Sequence, residues 1–327
     1  MTTSAPWTLA PLRPEPGRVV RGRIRVELGT TAVEVPLVVV DGAHPGPRVV
    51  FTAGMHGGEF TGIEAAARLA DLLDPRRVHG QVVICPVANP PAVYDGRLAA
   101  SPLDGVNINR VFPGDAGGLP TERLAAWHFT HLLAGADAYV DLHSGGIDED
   151  LRDFVGHRLT GDPGLDRRTT AMAHGIGIAD VIAGLDAGGG NSHAAAARAG
   201  VPAVLVESGR LGERDPEAAD RLSRGLLGLL SVLEVVAPSD PAPPAGPVRA
   251  WTWAASVTAP ATGLWYPALS AGDDVAAGGV LGYVRDPADG RRTPVLSPVT
   301  GRLFYGMRAL TVSTGAELAA LARRSGA

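Results

Sequence analysis

His56 and Glu59 stand three residues apart in "GMHGGEF", just beyond the apolar run "VVFTAG" (49–54). An imidazole nitrogen and a carboxylate oxygen can share a divalent cation, and the same groups can move protons. A His-x-x-Glu pair recurs by chance, so it needs partners. Three further apolar runs supply them. "VVICPVAN" (82–89) ends on Asn89, "AYVDLHSG" (138–145) carries His143, and "PAVLVESG" (202–209) carries Glu207. Ligands of open α/β sheets bind beyond the carboxyl ends of the strands, so these polar residues should meet at one edge. His56, Glu59 and His143 form the donor set of a catalytic zinc that keeps one position open to water, and Glu207 is left over as a general base. Glu207 closes the run "VPAVLV", near the core, where an acid needs a charge partner or a solvent-lined cleft.

A second group lies in "NPPAVYDGRLAASPLDGVNINRVFPG" (89–114), a long irregular stretch rich in Pro, Gly and Asn. Loops of this length inside a compact domain are usually functional. It carries Arg97 and Arg110, with Asn107 and Asn109 crowding the latter. The planar fork of arginine grips a carboxylate with two hydrogen bonds. Asp141, two residues before His143, shares a strand face with it and either fixes its imidazole or faces solvent. His128 and His131 form a rival pair one helical turn apart but have no matching carboxylate, so they read as helix surface or interface. "DAGGGNSHAAAARAG" (186–200) reads as a loop followed by a helix capped at Asn191 or Ser192, in preference to a lid that brings His193 to a substrate.

The elements that must position these residues follow from the hydrophobic pattern. "VVRGRIRVEL" and "AVEVPLVVV" flank "GT" as a hairpin within 19–40. The four apolar runs lack alternation, as strands buried on both faces do. A helix follows Thr61 to about Leu73. A second covers 121–135, with Thr121 as N-cap and Gly135 as stop. A third opens on Asp215 and Pro216 with a stripe through Leu222, Leu226, Leu229 and Leu233. This predicts an α/β domain over 1–236 with a mostly parallel or mixed sheet and helices on both faces. "APSDPAPPAGP" (237–247) reads as a Pro-rich linker. Residues 248–327, with short strands and glycine turns, read as a small all-β unit spaced like a barrel-sandwich module.

Composition excludes several classes. All 29 basic residues are arginine, so a Schiff-base lysine, a P-loop lysine and a lysine-borne prosthetic group are ruled out. A net charge of −5 without a basic block argues against nucleic acid. No run approaches the length of a membrane span, and the start shows no secretory signal. The single cysteine, Cys85, excludes an intramolecular disulfide and a thiolate zinc site. The expected location is the cytoplasm.

"HGGE", the "NP…R…P…DG…NINRVFPG" loop, "DLHSGG" and "VESG" together resemble the succinylglutamate desuccinylase/aspartoacylase family, zinc-dependent relatives of the metallocarboxypeptidases, over roughly 19–235. The resemblance implies that His56, Glu59 and His143 bind one zinc and that Glu207 deprotonates the bound water and protonates the leaving amine. It also implies that Arg97 polarises the scissile carbonyl and that Asn109 and Arg110 hold the substrate's α-carboxylate. The glycine-bounded "HSGG" and the "DGVNINRVFPG" loop look most like the branch that deacetylates N-acetyl-diaminobutyrate in ectoine breakdown. Members often carry Asp where this chain has Asn107, a charge that would orient the nearby arginine. The expected activity is hydrolysis of the acyl amide of an N-acyl amino acid. The alternatives are a metallocarboxypeptidase acting on short peptides and a zinc-free binding or regulatory protein on the same scaffold. The expected partner is a small-molecule substrate, and a homodimer rests on family analogy alone.

Overall fold

The structure is a computed structural model and describes residues 7–185, 189–237 and 247–325. The chain opens with the expected hairpin, β1 (Arg18–Glu27) and β2 (Ala32–Asp41), paired antiparallel through ten residues each. There follow β3 (His44–Ala53), α1 (Phe60–Leu72), β4 (His79–Cys85), α2 (Pro120–His128), β5 (Ala138–His143), β6 (Glu149–Leu151), β7 (Phe154–His157), α3 (Pro163–Gly175), β8 (Asp180–Ala183), α4 (Ser192–Arg198), β9 (Ala203–Glu207) and α5 (Pro216–Val232). The predicted apolar runs become β3, β4, β5 and β9, adjacent and parallel in the order β4-β3-β5-β9. Both their faces are covered. Val49 and Phe51 of β3 pack with α1, α3 and α5 through Leu69, Met172 and Leu226. Val50 faces the opposite layer, with Leu124 of α2 and Ala195 of α4. No helix among the described residues is long and apolar enough to cross a membrane.

Helix starts follow local chemistry. Asp215 caps α5 by accepting from the backbone N–H of Glu217 and Ala218 at 3.0 and 2.9 Å, with Pro216 at the first helical position. Thr121, expected as an N-cap, lies inside α2. Pro120 takes the first position, Glu122 reaches back to Leu119 N at 2.7 Å, and Asp104 accepts from both the N–H and the hydroxyl of Thr121 at 2.8 and 2.7 Å. The helix continues as a wider π turn over Phe129–Leu133, and Gly135 follows it at φ +71°. His128, expected at the helix surface or an interface, is fully buried and donates through Nε2 to the Ala88 carbonyl at 2.7 Å, while His131 is exposed.

The C-terminal part comprises β10 (Arg249–Thr258), β11 (Gly263–Pro267), β12 (Asp274–Val275), β13 (Val280–Arg285), β14 (Arg292–Leu296), β15 (Gly301–Met307), β16 (Thr311–Val312) and β17 (Glu317–Arg324). Most of the Pro-rich linker, 238–246, lies outside the described residues. Four of the C-terminal strands extend the main sheet, which runs β1-β2-β4-β3-β5-β9-β7-β8-β10-β17-β15-β12 with β6 on β15. β14-β13-β11-β16 form a separate antiparallel sheet over a core of Trp265, Leu281, Val284, Leu318 and Leu321.

The junction at β8 and β10 turns on Asp180. It is almost fully buried and accepts from Arg152 Nε at 2.7 Å, Arg249 Nη2 at 2.9 Å and Trp251 Nε1 at 2.8 Å. Burial opposes its charge, but the hydrogen bonds from Arg249, Trp251 and Arg152 outweigh that and hold the carboxyl below its usual value. Asp180→Asn is expected to cost about 2–3 kcal/mol, because it leaves two arginines against a neutral amide. A carboxyl depressed on folding adds stability above its unfolded pKa, near 4, and loses it as pH falls through the folded value. The urea midpoint of the variant should therefore lie below wild type at pH 7, and the two should converge in acid.

A candidate metal-centred active site

The ends of β3, β5 and β9 bring His56, Glu59, His143 and Glu207 together. His143 and Glu207 are direct register partners across β5 and β9. Glu59 occupies the N-cap position of α1, and one donor atom each from His56, Glu59 and His143 lie within 4.8 Å of one another. α1 approaches this closely because of two glycines. A Cβ on Gly62 would meet the Leu142 carbonyl oxygen at 3.1 Å, and one on Gly209 would meet Thr61 Oγ1 at 2.3 Å. The pair between the first two donors has two separate reasons. Gly58 sits at φ +90°, which glycine alone adopts freely, whereas a Cβ on Gly57 would fall 2.0 Å from the Ala92 carbonyl oxygen. Asn89 braces this turn, donating to the Met55 carbonyl at 3.0 Å.

Both imidazoles point the same nitrogen inward. His56 Nδ1 lies 2.7 Å from Glu59 Oε1 and His143 Nδ1 lies 2.8 Å from Glu59 Oε2. Each Nε2 is turned away, to Asn107 Oδ1 at 3.0 Å for His56 and to Asp141 Oδ2 at 2.9 Å for His143. Asp141 is thus the buried partner of His143 and not a solvent-facing acid. Its Oδ1 also accepts from Thr52 at 2.9 Å and its Oδ2 from the Ser192 hydroxyl. Asn107 does not orient an arginine. It holds His56 instead, a role that an amide oxygen fills as well as a carboxylate.

The electrostatics follow from this packing. Burial works against ionisation of Glu59, but His56 and His143 outweigh it and pull the carboxyl down to about 2. Burial likewise opposes charge on His143, yet Asp141 and Glu59 hold its imidazole well above the usual value. For Asp141, the neighbouring His143 and the Ser192 hydroxyl overcome burial and keep it below the ordinary carboxylate range. Glu207 behaves oppositely. Burial, reinforced by the charges of Glu59, Glu149 and Asp141, raises it well above the usual range against the pull of His143, and its Oε2 is buried with no hydrogen-bond partner among the described residues.

The flanking loop places the remaining residues. Arg97 is exposed, at φ 55°, with its backbone packed on Gly57 and Gly58. Arg110 is exposed and donates to the Asn109 carbonyl at 2.9 Å. Asn109 is buried. It is 1% exposed, its Oδ1 accepts from Ser192 N at 2.8 Å, and its Nδ2 lies 3.4 Å from Asp141 Oδ2. Residues 186–188 of the glycine loop lie outside the described residues. Its end is tied down, for Phe112 N donates to the Gly190 carbonyl at 2.9 Å and α4 starts beyond Asn191. His193 is fully buried in α4, its Nε2 3.4 Å from the Leu185 carbonyl. Glu149 is a further acid near the cluster that the sequence pattern does not single out.

Comparison with known proteins gives the chain a family and a fold. The model of the succinylglutamate desuccinylase/aspartoacylase catalytic domain matches residues 45–233. The N-alpha-acetyl-L-2,4-diaminobutyric acid deacetylase of Halomonas elongata is 37% identical over 197 residues, which are 60% of this chain and 57% of that protein. The succinylglutamate desuccinylase/aspartoacylase from Rhodobacter sphaeroides superposes with a TM-score of 0.84 at 27% identity, covering 96% of this chain and 98% of that one. The product-bound ectoine utilization protein EutE (DoeB) from Ruegeria pomeroyi gives a TM-score of 0.87 at 24% identity over 96% and 98% of the two chains, a likeness of fold. With its catalytic-domain signature spanning more than half its length, the chain belongs to the succinylglutamate desuccinylase/aspartoacylase family.

Proposed function

We propose that the chain hydrolyses the acyl amide bond of an N-acyl amino acid, using one zinc held by His56, Glu59 and His143. The observation that carries this reading is a three-donor cluster on one side of a buried, unpartnered carboxylate oxygen, Glu207 Oε2. The donors fit the ion. Each imidazole is anchored through Nε2, which leaves Nδ1 to offer its lone pair, and a nitrogen-and-oxygen set suits zinc. Zinc held by these residues would supply Lewis acidity toward the amide carbonyl and would lower the pKa of water to about 7.

The chain's own residues do the rest. Glu207 takes the proton of the attacking water and returns it to the amide nitrogen as the C–N bond breaks, so a free amine and a carboxylic acid leave. Arg110 grips the substrate's α-carboxylate, its guanidinium steadied by the Asn109 carbonyl. Arg97 stabilises the negative charge on the carbonyl oxygen. Asn109, buried behind the cluster, contributes by bracing Asp141 and Ser192. The deacetylase activity of the Halomonas relative supports an acetyl group and an amino-acid product.

The test is a hydrolysis screen of acetyl, formyl and succinyl amino acids beside dipeptides, with amine release as readout. Turnover of acyl amino acids is expected. Preference for dipeptides would make the protein a carboxypeptidase.

A further inference from the structure

Behind the metal cluster lies a closed circuit of hydroxyls that no step of the reaction uses. Tyr139, Asp141 and His143 alternate along β5 and so share one face of the sheet. Thr52 on β3 is the direct register partner of Asp141. Ser192 opens α4, which covers that face. Thr52 donates to Asp141 Oδ1 at 2.9 Å and lies 2.6 Å from the Tyr139 hydroxyl. Tyr139 donates to Ser192 Oγ at 3.0 Å, and Ser192 donates to Asp141 Oδ2. All four residues are fully buried.

The direction of these bonds follows from what each group can give. An ionised carboxylate only accepts, so the protons of Thr52 and Ser192 are drawn to Asp141, and the Tyr139 proton supports Ser192 from behind. His143 adds a further donor, with Nε2 at 2.9 Å from Asp141 Oδ2. Asn109 Nδ2 stands 3.1 Å from the same ring nitrogen, but an amide N–H cannot take a proton from it. The Nε2 proton is thereby committed to Asp141, and Nδ1 faces the cluster.

Ser192 is also a joint. Its backbone N–H donates to Asn109 Oδ1 at 2.8 Å, apart from anything its hydroxyl does. Just before it, a Cβ on Gly190 would fall 1.9 Å from the Arg110 carbonyl oxygen, so the start of α4 lies tightly against the loop that carries Arg110. One residue therefore serves His143 through its side chain and the substrate loop through its backbone. Removing the hydroxyl separates the two roles.

We infer that Ser192, with Thr52, is a positioning residue for the metal centre: through Asp141 these hydroxyls fix the aim and the proton of His143, so that retention of the ion depends on a helix that supplies no ligand. This rests on the zinc reading above and extends it beyond the ligands.

The test is chelator competition for zinc in wild type, Ser192→Ala, Asp141→Asn and the double variant, with KM measured at saturating zinc. Ser192→Ala should weaken zinc binding by roughly 10- to 100-fold, the range for partners that orient a metal ligand. KM should stay within about twofold, because the backbone bond to Asn109 survives. In the Asp141→Asn background, Ser192→Ala should weaken zinc no further, since the hydroxyl acts through that carboxylate. Thr52→Val, nearly unchanged in shape, takes the other hydroxyl from Asp141 and should weaken zinc in the same direction, which tests the circuit even where Ser192→Ala does not fold. Tight zinc binding by wild type beside an unchanged affinity in either hydroxyl variant overturns this inference alone. Independent, multiplying losses in the double variant overturn it too, as does a rise in KM equal to the loss of zinc affinity, which would mean that α4 and the substrate loop had loosened together. A wild type that binds no zinc overturns the proposed metal site and this inference with it.

Discussion

Glu207→Gln should lower kcat by about 10²–10⁴-fold, the range for loss of a positioned proton carrier. KM and zinc content should change little. The amide keeps the shape of the side chain and its place opposite His143, but it cannot accept the water's proton. The same substitution should leave folding stability unchanged or slightly raised. Glu207 is partly buried, its Oε2 is buried with no partner among the described residues, and three nearby acids disfavour its charge. A neutral amide relieves that repulsion, as expected where a site holds a group for function at some cost to stability. Kinetics and thermal melts on one preparation therefore separate the two effects. Retention of full activity would mean that another group moves the proton.

His143→Ala should have two large effects that can be measured apart. On the proposed reading it removes a zinc ligand, so zinc content should fall from one per chain to nearly none. It also strips the fully buried Asp141 of its imidazole partner. Breaking a buried pair from one side costs about 3–5 kcal/mol, and the hydroxyls of Thr52 and Ser192, which remain, place the loss at the lower end. Urea unfolding in excess chelator, with no metal contribution in either protein, should show it. Adding Asp141→Asn should recover part of the stability but none of the zinc, because the uncompensated charge is gone while the ligand is still missing. A double variant no more stable than the single one would count against this origin of the loss.

The parts of the fold legible in the sequence were those with local causes. The runs that became β3, β4, β5 and β9 are apolar on successive residues because both sheet faces are covered, and that pattern is written in consecutive letters. Asp215 and Pro216 announce α5 for the same reason. β6, β7 and β8, of three to four residues, are too short to carry a period and are held by register with distant strands. Thr121 misled because Asp104, on a loop 17 residues earlier, takes its hydrogen bonds.

The site divides in the same way. Strand ends bring His56, Glu59, His143 and Glu207 to one edge, as their spacing implies. The hydrogen bonds that aim these side chains are long-range. Asn107 meets His56 across 51 residues, and Asn109 meets Ser192 across 83. Nothing local distinguishes these two asparagines from turn residues, which is why one reads as an arginine's neighbour and the other as a substrate ligand.

We propose that His56, Glu59 and His143 hold the ion on which amide hydrolysis depends. The most direct measurement is a titration of zinc into chelator-stripped protein while amine release from an N-acyl amino acid is followed. Activity should be nearly absent at the start, rise in proportion to added zinc, and break at one equivalent per chain. Full turnover by the stripped protein, or a rise with no break at one equivalent, would mean that hydrolysis does not depend on one zinc held by these three residues.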